Sequence, residues 1–225
     1  MPERSVTRAT RTAVPVALLA AGLLLSGCGT GQGPAAAPAK PSAPAKAAEP
    51  AKSTAPAKEA TAAPAGSLGG PGTACALPFS FSLAEDWQPK AIENPEDPEF
   101  AALTRQGPAT VRCEVDAKPA GHIGYLRVWT APKGLARPTL EAFVTAEKGS
   151  RKAVYADTKA GSLPAVQVVY EVHSELMDET KTERAFAVET ADGKVVIVHL
   201  GGLDTEEHQA MRPAYELARS TLTAS

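Results

Sequence analysis

The amino-acid sequence predicts an α+β domain, an antiparallel β-sheet flanked by helices, preceded by an export signal and a tether with almost no core of its own. Three observations predict it. Apolar residues at period two recur at hairpin distance through roughly the last 150 residues; only two stretches there carry three- and four-residue apolar steps; and Gly29 to Ala74 offers little that a core could use.

The chain opens with Arg4, Arg8 and Arg11, followed by Ala13 to Leu25, thirteen residues without a charge. This is the length of a signal-peptide core, too short to cross a bilayer comfortably as a permanent helix. The arginines are not adjacent, which favours the general secretory route over twin-arginine export. Leu25-Ser26-Gly27-Cys28 resembles the lipobox of bacterial lipoproteins at all four positions. The resemblance implies that residues 1–27 are removed and that the Cys28 thiol takes a diacylglyceryl group, with acyl chains such as palmitate. Ser26 and Gly27 are the small residues that let the backbone enter the peptidase cleft. The mature protein is then expected on the outer face of the cell membrane, held by its lipid anchor. The competing reading, an ordinary cleaved signal with an incidental Cys28, requires the small-small-Cys ending to arise by accident.

From Pro38 a six-residue unit beginning Pro-Ala-Lys repeats, with lysines at 40, 46, 52 and 58. Leu68 is the one core-forming residue between Gly29 and Ala74, so the segment cannot offset its ordering entropy and is expected to be a disordered Ala/Pro/Lys tether. Regular proline biases it toward polyproline II, with a contour of about 140 Å at about 3.1 Å per residue. Its lysines read as solubilising charge in preference to contacts with wall polymer or lipid headgroups. Gly66 to Gly72, with four glycines and a proline, form a loose joint. The expected division is signal peptide 1–27, lipidated Cys and tether 28–74, and one folded domain 75–225.

That domain carries a formal charge of −6, from 22 acidic and 16 basic residues, which disfavours nucleic acid and other polyanions as partners. The Ala-, Pro- and Gly-rich composition with a single Asn, Asn94, points to a GC-rich, actinobacterial type of genome. Cys75 and Cys113 remain as a pair in a compartment where disulfides persist. A bridge would close about 38 residues and contribute roughly 4 kcal/mol on the chain-entropy estimate, fastening the start of the domain to an internal strand. The alternative is two unpaired buried thiols, and a nucleophilic Cys113 would have to forgo its partner.

The elements follow in order. Phe79, Phe81 and Leu83 alternate with serines as in a half-buried strand, and Trp87 follows a Glu85-Asp86 turn. Glu93 to Glu99 is a proline-punctuated loop with four carboxylates; it invites a calcium reading, but its spacing matches no EF-hand loop and a solvated loop is preferred. Phe100 to Gln106, Val111 to Asp116 and Ile123 to Thr130 read as three further strands, antiparallel by their spacing. Thr139 can cap a short helix with Leu140, Phe143, Val144 and Glu147 on one face, ended by Gly149. Val166 to His173 and Ala185 to Glu189 are strand-like and joined by a polar arm, 174–184. Asp192-Gly193 turns the chain into Val195 to Val198, a β-branched run that argues for a central strand covered on both faces. Asp204 to Glu207 is a capped helix start, followed by a stripe of Met211, Tyr215, Ala218 and Leu222. Pro213 implies either a kink or a helix beginning there.

The Phe-x-Phe-x-Leu strand reaching a turn and Trp87, the meandering strands, Gly161-Ser-Leu-Pro164-Ala165 before a strand, and the closing strand, Asp-Gly, strand and helix resemble the PsbP-like fold. Actinobacterial secreted lipoproteins of the LpqN type resemble it too, including the lipobox and the Ala/Pro tether. The resemblance covers nearly all of Cys75 to Ser225 and implies a non-catalytic binding or assembly factor of the cell envelope, with no catalytic residues to carry over. A Gly usual before the Trp is Asp86 here.

Independent chemistry is sparse. The sequence has no Gly-x-Ser-x-Gly elbow, Ser-x-x-Lys, P-loop or dinucleotide glycine pattern. His122, His173, His199 and His208 are scattered; His199, Asp204 and His208 near the last helix are a nominal metal set, against which core-edge histidines are preferred. No metal and no cofactor are expected. The acidic arm with Leu176 and Met177 reads as a solvated hairpin end in preference to a protein dock. The expected function is a membrane-tethered binding module for an envelope protein or a small apolar ligand. The alternative is an envelope hydrolase with Glu171 and Glu189 as a nominal carboxylate pair on neighbouring strands.

Overall fold

The structure, a computed structural model, describes residues 61–224. The expected signal peptide, Cys28 and the Pro-Ala-Lys repeat lie outside the described residues. In chain order the elements are β1 (Pro64–Gly69), β2 (Phe79–Ala84), β3 (Gln88–Ala91), α1 (Ala101–Thr104), β4 (Arg105–Gln106), β5 (Ala109–Asp116), β6 (Gly124–Lys133), α2 (Ala136–Ala146), β7 (Ser150–Ala160), β8 (Leu163–Ser174), β9 (Glu179–Glu189), β10 (Lys194–Gly202), α3 (Thr205–Ser220) and β11 (Thr223–Ala224). The large sheet runs β3-β5-β6-β10-β9-β8-β7 with β4 paired to β5, and a small sheet runs β1-β2-β11. Every pairing is antiparallel.

Period-two alternation sorts the side chains of the large sheet into two cores. On one face Leu140, Phe143 and Val144 of α2 cover Trp129, Val168, Tyr170, Val195 and Ile197. On the other, α3 and the small sheet bring Met211, Tyr215, Phe79 and Phe81 onto Val128, Phe186, Val196 and Val198. Val195 to Val198 are all fully buried, so β10 is the central, doubly covered strand its β-branched run implies. The fold is the expected α+β arrangement, an antiparallel sheet flanked by helices.

Four local details differ from expectation. The folded unit begins before Cys75: β1 lies in the expected tether, Leu68 is fully buried, and Ala62 N–H donates to the Pro213 carbonyl at 3.1 Å. One leucine among Ala, Pro and Gly suffices because β2 supplies the ladder, and Gly69, at φ +96°, sits where any side chain would collide with the Phe79 carbonyl. Phe100 to Gln106 is mostly helical turn rather than strand, since Asp97 Oδ1 accepts from Glu99 N–H at 2.9 Å and Pro98 presets the turn. The polar sequence of β7 hid an edge strand, which needs little apolar patterning when one side faces water. Thr139 is not a cap: α2 starts at Ala136, whose N–H donates to Glu189 Oε1 at 2.9 Å, with Pro138 inside the first turn. As expected, Asp204 caps α3, its Oδ1 accepting from Glu207 N–H at 2.8 Å, and of the two alternatives at Pro213 a helix beginning there is excluded, since α3 runs through it.

Candidate functional site

Antiparallel pairing brings the β5–β6 connection, the β8–β9 hairpin tip and the β10–α3 connection to the same end of the large sheet. There they enclose a groove of about 770 Å³. Its walls combine apolar Ile123, Met177 and Leu203, exposed to 51%, 60% and 51%, with Glu114, Asp116, Glu179, Asp204 and Glu206. Lys118 and Lys181 are the cations of the lining. Tyr125 forms part of the floor, and its ring is packed so closely on Gly201 that a Cβ there would lie 2.7 Å from the phenol. Arg127 stacks over the same ring at 4.0 Å and donates through Nε to Glu114 Oε2 at 2.7 Å.

Behind the floor, on the α2 face, lies a buried polar cluster. Glu183 Oε2 accepts from Tyr170 O–H at 3.1 Å and lies 2.8 Å from His199 Nε2, while Lys181 Nζ reaches Glu183 Oε1 at 2.8 Å and the Gly202 carbonyl at 3.0 Å. Burial alone would raise the Glu183 carboxyl, but the charges and hydrogen bonds of His199 and Lys181 outweigh it and hold the group down at about 2. Burial and the Glu183 charge push the Tyr170 phenol well up, and burial followed by Glu183 raises Glu147. Tyr170, Glu183 and His199 are at most 3% exposed, so the cluster is a rigid ionic floor under the groove, out of reach of a substrate. On the opposite face of β9, Arg184 Nε donates to His208 Nε2 at 2.9 Å, and Glu216 takes Arg219 at 2.9 and 2.6 Å. Burial and the Arg184 charge lower His208 to about 4.

The structure separates most of the residues singled out from sequence. Cys75 and Cys113 are joined, Cα to Cα 6.0 Å, at the edge of the α3-side core. Glu171 and Glu189 are not a pair: Glu171 stands opposite Thr182 on β9, seven residues from Glu189, which is about 23 Å at the rise of a strand. Glu171 is occupied by Arg151 and Lys152, and Glu189 by the start of α2. His199 and His208 lie on opposite faces of the sheet and Asp204 caps α3; among the described residues no group of three or more His, Cys, Asp or Glu could hold a metal ion. In the acidic loop, Glu96 is drawn to Arg105 and Arg112. The hairpin arm ends in Leu176 and Met177, exposed as expected.

Glu183 and His199 were the residues that sequence reading missed as a pair. Their signal was positional: Glu183 is in step with Ala185 and Ala187, and His199 with Val195 and Ile197, so each puts a polar group where the alternation demands an apolar one.

A family model described as "Uncharacterised lipoprotein" (Lipoprotein_23) matches residues 45–222. Curated proteins give no match. Among solved structures the chain is similar to the solution structure of cyanobacterial PsbP (CyanoP) from Synechocystis sp. PCC 6803, with a TM-score of 0.47 and 15% identity, over 71% of this chain and 98% of that one.

Proposed function

The chain belongs to this family of uncharacterised lipoproteins, and from that premise we propose that it is a non-catalytic binding module of the cell envelope, anchored through lipid on Cys28 at the outer face of the membrane. The observation that carries the binding role is the groove at the sheet end. Three large apolar side chains are left half-exposed around it, five carboxylates rim it, and its floor is fixed from beneath by buried ionic bonds. Exposed apolar groups gathered inside a polar rim are the usual make-up of a docking surface. Five carboxylates against two lysines favour a protein segment that presents an apolar side chain flanked by Lys or Arg. The tether keeps the module within reach of membrane and wall proteins.

A hydrolase based on paired carboxylates is not favoured, since Glu171 and Glu189 are far apart and each is already engaged.

Chemical crosslinking in the intact envelope, followed by mass spectrometry, tests the reading. The wild type is expected to yield a reproducible partner peptide with adjacent basic residues. Glu179→Lys with Glu206→Lys, on the exposed rim, should abolish that crosslink at unchanged protein level. Undiminished crosslinking by the double variant would overturn the groove as the docking face.

A further inference from the structure

A second pocket, of about 400 Å³, lies at the end of the large sheet opposite the groove, where β10 begins. Strand register builds it. Arg105 of β4 stands opposite Thr110 of β5, which stands opposite Thr130 of β6, so the three side chains share one face. That face continues through Val196, the β10 partner of Thr130, and Lys194 lies in step two residues before it. Arg112 joins the same row, since its Nε donates to Thr130 Oγ1 at 2.7 Å. On β6 the core residues Leu126 and Val128 therefore give way to a hydroxyl where the next apolar side chain would fall.

Arg105, Thr110, Arg112, Thr130 and Lys194 all line the pocket, and Glu96 of the acidic loop is the remaining polar side chain of the lining. Three cations and two hydroxyls thus face a single carboxylate, in a domain whose formal charge is −6. Lys194 is neutralised by Asp192 at 2.9 Å, whereas both guanidinium groups share Glu96: Arg112 Nη2 donates to Oε1, and Arg105 Nη2 lies 3.5 Å from Oε2. One positive charge is left over. Glu96 is 60% exposed, so its hold on the two arginines is that of a surface ion pair.

We propose that the pocket binds a phosphomonoester, whose dianion displaces Glu96 and sits between Arg105 and Arg112 while the threonine hydroxyls donate to its remaining oxygens. Charge decides the class. A monocarboxylate would exchange one negative charge for another, whereas a phosphomonoester, at about −1.5 to −2, neutralises both guanidinium groups and offers three acceptor oxygens. The acidic remainder of the domain repels polymeric anions, so the ligand is a single phosphate group, on a small molecule or on a lipid headgroup. The site leaves protein docking to the groove and does not depend on it.

Two probes test the assignment and distinguish the sources, both applied to the chain from residue 29 onwards at about pH 8, where the phosphate is dianionic. Glycerol phosphate is titrated calorimetrically against acetate at matched ionic strength, and phosphatidylcholine vesicles with or without phosphatidic acid are used in sedimentation. Glycerol phosphate is expected to bind about tenfold more tightly than acetate. Arg112→Gln should weaken it by about tenfold or more, the loss of a charge-assisted contact. Glu96→Gln should tighten it about threefold to fivefold, because the resident competitor is gone, and misfolding cannot produce a gain. Phosphatidic acid vesicles that sediment the wild type but not Arg112→Gln would sustain the proposal with a headgroup as the source; glycerol phosphate binding without vesicle binding would sustain it with a soluble one. Binding of neither probe, equal affinity for glycerol phosphate and acetate, or an affinity unchanged in Glu96→Gln would each overturn it.

Discussion

Two buried side chains on opposite faces of β9 give the protein a defined response to acid. His208 titrates near 6.5 when free and at about 4 when folded, so the unfolded chain binds the proton first and stability falls as pH drops from about 6.5 toward 4. The loss is up to about 3 kcal/mol, at about 1.4 kcal/mol per unit. Glu183 is depressed from 4.5 to about 2, so its contribution is complete above pH 4.5 and is lost as pH falls toward 2. Thermal melts from pH 8 to 3 are therefore expected to decline in two overlapping steps, and His208→Gln should flatten the upper one. A flat melting temperature between pH 7 and 4.5 in the wild type would contradict this account. Glu183→Gln leaves Lys181 without its buried counter-charge and His199 without its carboxylate partner, and is expected to cost about 3 kcal/mol, read by urea unfolding at pH 7. These roles were only half legible in the sequence: Glu183 and His199 stand out against the alternation, but that Tyr170 and Lys181 converge on them depends on strand registers between segments distant in the chain.

Among the elements, β1 separates the folded unit seen here from the one read by composition. Leu68 is fully buried under β2, so Leu68→Ala should cost about 3 kcal/mol, and a chain starting at residue 75 should melt well below one starting at residue 61. Equal melting of the two chains would mean that β1 contributes nothing. The Cys75–Cys113 bridge fastens the chain just after β1 to β5 across 38 residues; Cys75→Ala with Cys113→Ala is expected to lose about 4 kcal/mol. Strands with strong alternation (β2, β5, β6, β10) and the stripe of α3 could be read directly, because burial on one face leaves a periodic trace. The polar edge strand β7 leaves none. The start of α2 was misplaced because its first N–H is satisfied by Glu189, 53 residues away, instead of by a local cap such as Thr139. Asp86 takes φ +62°, the left-handed backbone that makes Gly the usual residue before the Trp.

At the scale of the whole molecule, anchoring and recognition are assigned to different parts of the chain, Cys28 and the groove at one end of the large sheet. Cys28→Ala should move the protein from the membrane fraction to the supernatant, since acyl chains supply stable attachment and among the described residues no helix is long and apolar enough to cross a bilayer. Unchanged membrane retention would refute lipidation at Cys28. Recognition is assigned to the groove end of the sheet, where Ile123, Met177 and Leu203 are exposed, and not to the far end, where β9 turns into β10. The most direct test is a scan with a photoreactive amino acid placed singly at positions 123, 177 and 203 in the groove and at 133 and 192 at the far end, irradiated in living cells. Adducts to a common partner from the three groove positions, with none from Lys133 or Asp192, are the predicted result; adducts confined to the far end, or equal at both ends, would contradict the groove as the binding face.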